Sequence, residues 1–183
     1  MSTKPQATID DLYAVPEHGK AEIVNGELVP MMPTGDIPAR AGGSIYASLL
    51  QYERSTRTGY AYPDNVGFRV DLPNRQSFSP DAAFYTGKRT GMKFLEGAPV
   101  FEVEVRSEND YGDQAERDMA EKRRDYFAAG TLVVWDVDLL GENVVTVYRA
   151  SDPLTPKVYR RGELAEAEPA VPGWTMPVDE LFA

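Results

Sequence analysis

The most informative segment of the chain is Val100-Phe101-Glu102-Val103-Glu104-Val105-Arg106-Ser107. Apolar and charged residues alternate along it, which is the pattern of a β-strand that buries one face. Phe101, Val103 and Val105 share the apolar face, whereas the opposite face carries charge. We therefore expect this strand to pack its apolar face against a core.

A helix and a second strand follow this segment. Residues 112–129 are charged and favour a helix, which we expect to end at Gly130 because glycine readily adopts the left-handed conformation found after many helices. Leu132-Val133-Val134-Trp135 is a short, continuous apolar run, typical of a buried central strand. Strand, helix and strand over residues 100–137 thus predict a βαβ unit.

Other elements extend this unit in both directions. Thr8 is a candidate N-cap for a short helix over residues 9–13, and Pro16 is expected to end it. Residues 21–29 predict two strands joined by Asn25-Gly26, a pair well suited to a type I′ hairpin turn. The remaining predicted elements are a helix at 38–57, strands at 60–72, 81–85, 143–149 and 157–160, a surface connection at 163–173 and a closing turn at 178–182.

Together these elements predict an α/β fold, in which helices flank a mixed β-sheet and an N-terminal β-hairpin is added. The length of 183 residues fits one domain. We expect residues 1–7 to form a flexible tail and residues 8–183 to form that single domain.

The composition excludes several classes of site. The chain has no cysteine, which removes zinc-thiolate centres, iron–sulfur clusters, thiol nucleophiles and disulfides. Its single histidine, His18, lies among turn-forming residues and is expected in an exposed loop. Serine–histidine–acid triads and zinc sites built on several imidazoles are therefore not expected, and we expect any chemistry to use carboxylates, lysine, arginine, tyrosine or serine.

The charge balance limits the partners. With 29 acidic and 19 basic residues, the net charge of −10 argues against a surface that coats phosphates in general. DNA contact would need a local basic face, and these residues could equally be ordinary solvated charges: Arg54, Arg57, Lys88, Arg89, Arg117, Arg123 and Arg124. No apolar run suits a signal peptide or a membrane span, so we expect a soluble, cytoplasmic protein without membrane contact.

Three residues suggest a chemical site. Asp81 opens a predicted strand, Glu104 lies on the charged face of the strand at 100–107, and Lys122 falls on the inward stripe of the following helix. An inward ammonium needs an anionic partner or a route to the surface, and Asp81 and Glu104 are the nearest expected anions. Each acid could instead be a turn or solvated-face residue.

Paired carboxylates also favour a divalent cation. Their oxygens suit Mg²⁺ or Mn²⁺, which can polarise a phosphoryl oxygen and activate a water as nucleophile. A nearby lysine would hold that water or help to deprotonate it and would balance charge on the phosphate. This set of groups is the minimum for phosphodiester hydrolysis.

The order of several short passages adds to this interpretation. They are Ala21–Leu28, Ser79-Pro80-Asp81, Gly97–Ser107, Lys122 with Tyr126 and Gly130 before Val134-Trp135-Asp136, and Pro172-Gly173-Trp174 with Leu181-Phe182. In this order they resemble the Uma-two family of restriction-endonuclease-like proteins, within the PD-(D/E)XK nuclease superfamily. The resemblance runs from about Ile9 to Phe182.

The resemblance implies a restriction-endonuclease-like core, a divalent-metal site and DNA cleavage. By motif position, Asp81 and Glu104 would be metal ligands, and Lys122 would be the catalytic lysine, moved from the strand to the helix. Glu22 would be an additional acidic member of the site. On the residues alone, Glu22 could equally be a hairpin residue in solvent.

The chain departs from the family pattern at three places. A histidine that is frequent near the start of the second helix is replaced by Ala41-Gly42. Glu102 and Arg106 stand where apolar residues are usual. Arg106 would either share phosphate binding with Lys122 or pair with Glu102 on the same strand face, and the shared face favours the pairing.

Three hypotheses follow. The first is a metal-dependent endonuclease that uses Asp81, Glu104 and Lys122 and makes weak, salt-sensitive contact with DNA. The second is a catalytically silent member of the same fold that acts as a dimeric interaction module. The third, a hydrolase of small phosphates or sugars, has only the paired carboxylates in its support. Several candidate edge strands make a homodimer reasonable.

Overall fold

The computed structural model of the chain describes residues 6–15 and 19–182. Its helices are α1 (Ile9–Tyr13), α2 (Asp36–Thr56), α3 (Asp113–Ala129) and a 3₁₀ helix at Val178–Phe182. The first seven strands are β1 (Ala21–Val24), β2 (Glu27–Pro30), β3 (Tyr60–Pro63), β4 (Phe68–Arg69), β5 (Ser77–Phe78), β6 (Ala82–Tyr85) and β7 (Leu95–Glu96). They are followed by β8 (Phe101–Val105), β9 (Val133–Asp138), β10 (Val144–Arg149), β11 (Asp152–Arg160), β12 (Leu164–Glu166) and β13 (Thr175–Pro177).

A six-stranded mixed sheet forms the centre of the fold, in the order β11-β10-β9-β8-β6-β3. Strands β8 and β9 are parallel and are connected through α3, which confirms the predicted βαβ unit. The other neighbours in this sheet are antiparallel. The predicted α/β class with a mixed sheet is therefore confirmed.

Helices α2 and α3 cover opposite faces of this sheet. On one face, Ile45 and Leu49 of α2 join a buried cluster that includes Phe101 and Val103 of β8. On the other face, Tyr126 of α3 joins a second cluster and stacks on Phe78 with ring centroids 4.0 Å apart. The alternation predicted for residues 100–107 thus separates two packed layers, and its charged side faces α3.

The N-terminal hairpin is also as predicted. Asn25 and Gly26 both have positive φ angles, 51° and 73°, as a type I′ turn requires. The backbone of Ile23 docks the hairpin on the segment around β5, because it donates to Ser77 Oγ at 2.9 Å and accepts from Gln76 at 3.0 Å. This docking brings Glu22, the charged residue of β1, toward the α3 face of the central sheet.

The amino-terminal helix has the predicted cap. Thr8 Oγ1 accepts from the backbone N–H of Asp11, whose carboxylate accepts from Thr8 in return. The expected roles of Pro16 and His18 lie outside the described residues. Within the described residues, no helix is both long and apolar enough to cross a lipid bilayer.

Two predictions for other segments are wrong. The predicted strand at 60–72 is divided into β3 and β4, which belong to different sheets. The predicted surface connection at 163–173 contains β12, paired with β13, and contributes buried residues to the core. Small apolar side chains such as Ala165 and Val171 fit against the large aromatic rings there, although the surrounding sequence is polar.

Candidate active site

Asp81 directly precedes β6 and lies near Glu104 of the neighbouring strand β8. Ala82 pairs with Val103, and the backbone N–H of Asp81 also donates to the Val103 carbonyl at 3.0 Å. The regular pairing therefore ends at Ala82, and Asp81 turns its carboxylate to the end of β8, where it accepts from the backbone N–H of Val105. The two carboxylates are close enough for Asp81 to raise the pKa of Glu104.

The Asp81 carboxylate is held by two donors. Its Oδ2 accepts from the backbone N–H of Val105 at 2.7 Å, and its Oδ1 accepts from Lys20 Nζ at 3.2 Å. Lys20 also binds Asp64 Oδ1 at 2.6 Å. Burial lowers the pKa of Lys20, but the carboxylates of Asp81 and Asp64 raise it by more. This lysine therefore stays positively charged beside the site.

Glu104 receives two donors from α3. Lys122 Nζ lies 2.8 Å from Glu104 Oε1, and the hydroxyl of Tyr126 donates to the same oxygen at 2.7 Å. Burial raises the pKa of Glu104; Lys122 opposes this rise, but Asp81 and Glu22 reinforce it, and the net shift is upward. The pairing with Lys122 therefore offsets burial and the two neighbouring acids only in part.

Glu22 reaches the site from the hairpin. Its side chain is 6% exposed, and Oε1 accepts from the Ser79 backbone N–H at 2.9 Å and lies 3.2 Å from Lys122 Nζ. Its other oxygen accepts from Arg75 at 2.6 Å. Burial raises the pKa of Glu22, but Lys122 and Arg75 lower it by more, and this carboxyl is ionised. The alternative of a solvent-exposed hairpin residue is wrong.

Lys122 is as buried as its inward stripe predicts, with 16% of its side chain exposed. Of its two expected anionic partners, the structure shows Glu104 but not Asp81, whose lysine partner is Lys20. Glu22 takes the second position on Lys122. Burial lowers the pKa of Lys122, but Glu104 and Glu22 raise it well above its usual value.

Arg106 does not pair with Glu102, and its sharing of phosphate binding with Lys122 stays a prediction. Its guanidinium binds Asp136 through Nε at 2.7 Å and Nη2 at 2.8 Å, and it also binds Glu116 of α3. The reason is the parallel partner strand: Asp136 lies directly across from Glu104 in β9, within reach of the end of β8.

Glu102 is fully buried, although it lies on the charged side of its strand. Among the residues that the structure describes, neither of its carboxyl oxygens has a hydrogen-bond partner. Burial raises the pKa of Glu102 well above its usual value, and Glu104 adds to the rise. Beside it is a small cavity of about 30 Å³ that Glu104, Lys122 and Tyr126 also line.

Sequence reasoning missed Lys20 and Arg75. Lys20 could have been found, because it stands two residues before Glu22 and so shares its side of the hairpin strand. Arg75 has no comparable signal. It lies in the loop before β5 and meets Glu22 and Asp125 only through the folded arrangement.

The donor set fits a hard divalent cation. Mg²⁺ is commonly bound through one or two carboxylates while it keeps several waters, and Asp81 and Glu104 offer such a pair. Among the described residues, no three histidine, cysteine or acidic side chains are arranged to hold a metal together. Any ion here would therefore rest on two carboxylates and water, and it would compete with Lys20 and Lys122.

The fold is restriction-endonuclease-like. The crystal structure of a putative nuclease belonging to DUF820 from Anabaena variabilis superposes with a TM-score of 0.74. The two sequences are 16% identical over 96% of this chain and 97% of that chain, a likeness that establishes the fold.

The Uma2 family model, described as "Putative restriction endonuclease", matches residues 8–179. The chain belongs to this family, as its sequence resemblance predicted. No curated protein matches it.

Proposed function

We propose that the protein is a divalent-metal-dependent endonuclease that hydrolyses DNA phosphodiester bonds, with Asp81 and Glu104 as ligands of Mg²⁺ or Mn²⁺. The observation that carries the proposal is the cluster itself: the Asp81 carboxylate lies at the end of β8 near Glu104, and the Lys122 ammonium is 2.8 Å from Glu104. The nuclease-like family supports a DNA substrate and the general use of divalent metals.

Each residue has a distinct role in this proposal. A bound metal would polarise a phosphoryl oxygen and activate a water. The raised pKa of Lys122 keeps it protonated, so it donates hydrogen bonds to water or phosphate and does not act as a base. Glu22 is a positioning residue, because its carboxylate holds the Lys122 ammonium beside Glu104.

The basic residues support weak, salt-sensitive contact with DNA. Arg117 and Arg124 are exposed on α3, and Lys88 and Arg89 are exposed after β6. The chain has a net charge of −10, and these few basic residues would release few counterions from the DNA. We therefore expect the affinity for DNA to be modest and to fall as the salt concentration rises.

A cleavage assay tests the endonuclease. We expect the wild type to nick and linearise plasmid with Mg²⁺ or Mn²⁺ and to be inactive with a chelator. Asp81→Asn and Lys122→Met should abolish the activity. Lys157→Ala is the matched control, because this exposed lysine lies on β11 at the edge of the sheet remote from Asp81. Lys157→Ala should cleave like the wild type, and activity that persists in Asp81→Asn and Lys122→Met, or in the chelator, would refute the proposal.

A second candidate function is the catalytically silent interaction module. The observation that favours it is Lys20, whose ammonium already binds Asp81 and Asp64 and so neutralises one side of the acid pair. This hypothesis predicts that neither Mg²⁺ nor Mn²⁺ raises the melting temperature, since a ligand stabilises only when it binds the native state. A clear rise in the wild type that is lost in Asp81→Asn would refute it.

In both hypotheses we propose a cytoplasmic homodimer whose residues 8–183 form one domain; most of the tail expected before it lies outside the described residues. Strands β3 and β11 lie at the two edges of the central sheet and support an association of copies. Sedimentation velocity tests the dimer, and limited proteolysis tests the single domain. A monomer at all concentrations, or early cleavage within residues 8–183, would refute the respective part.

A further inference from the structure

Two stretches of the chain that contain no acidic residue meet at the β3 edge of the central sheet. They are residues 54–63 and 82–95, on a chain that has 29 acids among its 183 residues. The antiparallel pairing of β3 with β6 places Tyr60 opposite Tyr85 and so brings the two stretches together. They carry five basic residues, all of them exposed: Arg54, Arg57, Lys88, Arg89 and Lys93. This edge therefore has a local basic character although the net charge of the chain is −10.

A tyrosine and an arginine of this region form a cation–π pair. Tyr60 is 37% exposed, and the guanidinium carbon of Arg89 lies 5.6 Å from the centroid of its ring. Burial raises the pKa of Tyr62 and the charge of Arg89 opposes this rise, so the guanidinium also lies near the second tyrosine of β3. We refer to Arg57, Tyr60, Lys88 and Arg89 as the Tyr60 surface.

The Tyr60 surface is connected to the candidate site along β3. Asp64, four residues after Tyr60, binds Lys20, and Lys20 also binds Asp81. At about 3.3 Å per residue, Tyr60 lies roughly 13 Å from Asp64 along the chain. One strand of DNA carries a phosphate about every 3.4 Å of the duplex axis, so a strand cleaved at the acids would reach the Tyr60 surface within about four nucleotides.

A single strand of nucleic acid suits this combination of groups. Its phosphates suit exposed lysines and arginines, and its unpaired bases stack on tyrosine rings and guanidinium planes. In a duplex the faces of the bases are stacked on each other, so an exposed ring gains no such contact. The acids that flank Tyr60 in the chain have other partners: Glu53 accepts from the Ala61 N–H at 2.6 Å, and Asp64 binds Lys20.

We propose that the Tyr60 surface binds an unpaired segment of DNA and leads it to the acids at Asp81 and Glu104. The inference rests on the proposed endonuclease and specifies its substrate as DNA that is single-stranded at the bound segment. Tyr60 stacks on a base, and the three cations of the surface bind the phosphates beside it.

The competing explanation is that Arg89 and Tyr60 form an ordinary surface pair that has no ligand. The chain offers a matched control on β11, at the opposite edge of the central sheet. There Lys157 lies 4.5 Å from the centroid of the Tyr159 ring, but Tyr159 is only 5% exposed, so its ring is not available to a base.

The experiment measures the binding of a labelled single-stranded oligothymidine and of a labelled hairpin duplex by fluorescence anisotropy, in chelator so that no cleavage occurs. We expect the wild type to bind the single strand more tightly than the duplex. Tyr60→Leu should bind the single strand about tenfold more weakly and the duplex unchanged, because only the unpaired bases stack on the ring. Tyr60→Phe keeps the ring and should bind like the wild type.

The charge variants test the other half of the surface. Arg89→Gln should weaken binding of the single strand and lower the slope of its logarithmic salt dependence by about 0.7. Lys157→Gln should match the wild type. If Tyr60→Leu does not melt cooperatively, these two variants decide the question, because both residues are exposed. Equal weakening by Arg89→Gln and Lys157→Gln would overturn the inference.

The outcomes separate this inference from the proposed function. Wild-type affinity for the single strand in Tyr60→Leu, or a preference of the wild type for the duplex, would overturn the Tyr60 surface. Plasmid cleavage with Mg²⁺ by the same proteins would then still support the endonuclease. Binding that depends on Tyr60, in a wild type that cleaves no DNA with either metal, would support the surface and refute the endonuclease.

Discussion

Glu22 offers a sharp test of how the site is held together. The change is Glu22→Gln, which keeps the shape of the side chain and one acceptor for the Ser79 N–H but removes the charge. Two cations then lose an anion: Arg75 at 2.6 Å and Lys122 at 3.2 Å. Because this side chain is only 6% exposed, water cannot replace the lost partner.

The magnitude follows from that burial. Breaking a buried ion pair by removal of one partner costs about 3–5 kcal/mol. We expect the lower end, about 3 kcal/mol, because Arg75 keeps Asp125 at 2.8 Å and Lys122 keeps Glu104 at 2.8 Å. For a chain of this size, that loss lowers the melting temperature by about 6–12 °C.

The effect should also depend on pH in a defined direction. Burial raises the pKa of Glu22, but Lys122 and Arg75 lower it by more, so the folded pKa lies below the usual value of 4.5. The stability from this carboxylate is therefore fully present above about pH 4.5 and is lost as the pH falls through the folded pKa. The difference in the free energy of unfolding between the wild type and Glu22→Gln should therefore narrow only in acid.

Urea unfolding followed by far-ultraviolet circular dichroism, at pH 7 and at several values below 4.5, measures both predictions. Glu96→Gln is the control, because its pair with Arg69 is 3.6 Å long and exposed and should contribute at most about 0.5 kcal/mol. A Glu22→Gln effect as small as the control, or one that stays constant into acid, would refute the reasoning.

Three further changes test the packing and charge around the site. Gly59→Ala places a methyl group 2.5 Å from Phe84 Cε1 and 2.8 Å from the Tyr85 carbonyl, so urea unfolding should show a loss of about 1–3 kcal/mol; wild-type stability would contradict this packing. Tyr126→Phe keeps the stacking on Phe78 but removes the 2.7 Å hydrogen bond to Glu104, and the same measurement should show a loss of about 1.5 kcal/mol rather than none. Lys20→Met removes the ammonium that competes at Asp81, so calorimetry should show tighter Mn²⁺ binding, and weaker binding would mean that Lys20 assists the ion.

Much of the architecture could be predicted because its signals are local. The alternation at residues 100–107, the helix-favouring run that ends at Gly130 and the Asn25-Gly26 turn each depend on neighbours in the chain. The buried role of residues 163–173 could not be predicted, since it arises from the fit of small side chains against distant aromatic rings. The polar residues of this segment had predicted a surface connection instead.

The sequence allowed a better prediction of which residues form the candidate site than of which of these residues contact each other. Lys122 points inward as its helical stripe predicts, and it meets Glu104. Its second partner is Glu22, a hundred residues earlier, because the hairpin docks over the sheet. No sequence pattern distinguishes a solvated Glu102 from a buried one, since its burial depends on which strands flank β8 and on the helix above them.

The two tryptophans provide an intrinsic fluorescence signal that reports on only one side of the central sheet. The ring centroids of Trp135 and Trp174 lie 5.0 Å apart in the core beneath α2. This is the side of the sheet that faces away from Glu104. Ligands that settle among the acids should leave the emission of both indoles almost unaltered. A change in the wavelength or intensity of the tryptophan emission on adding a ligand would thus reveal a movement transmitted through the sheet.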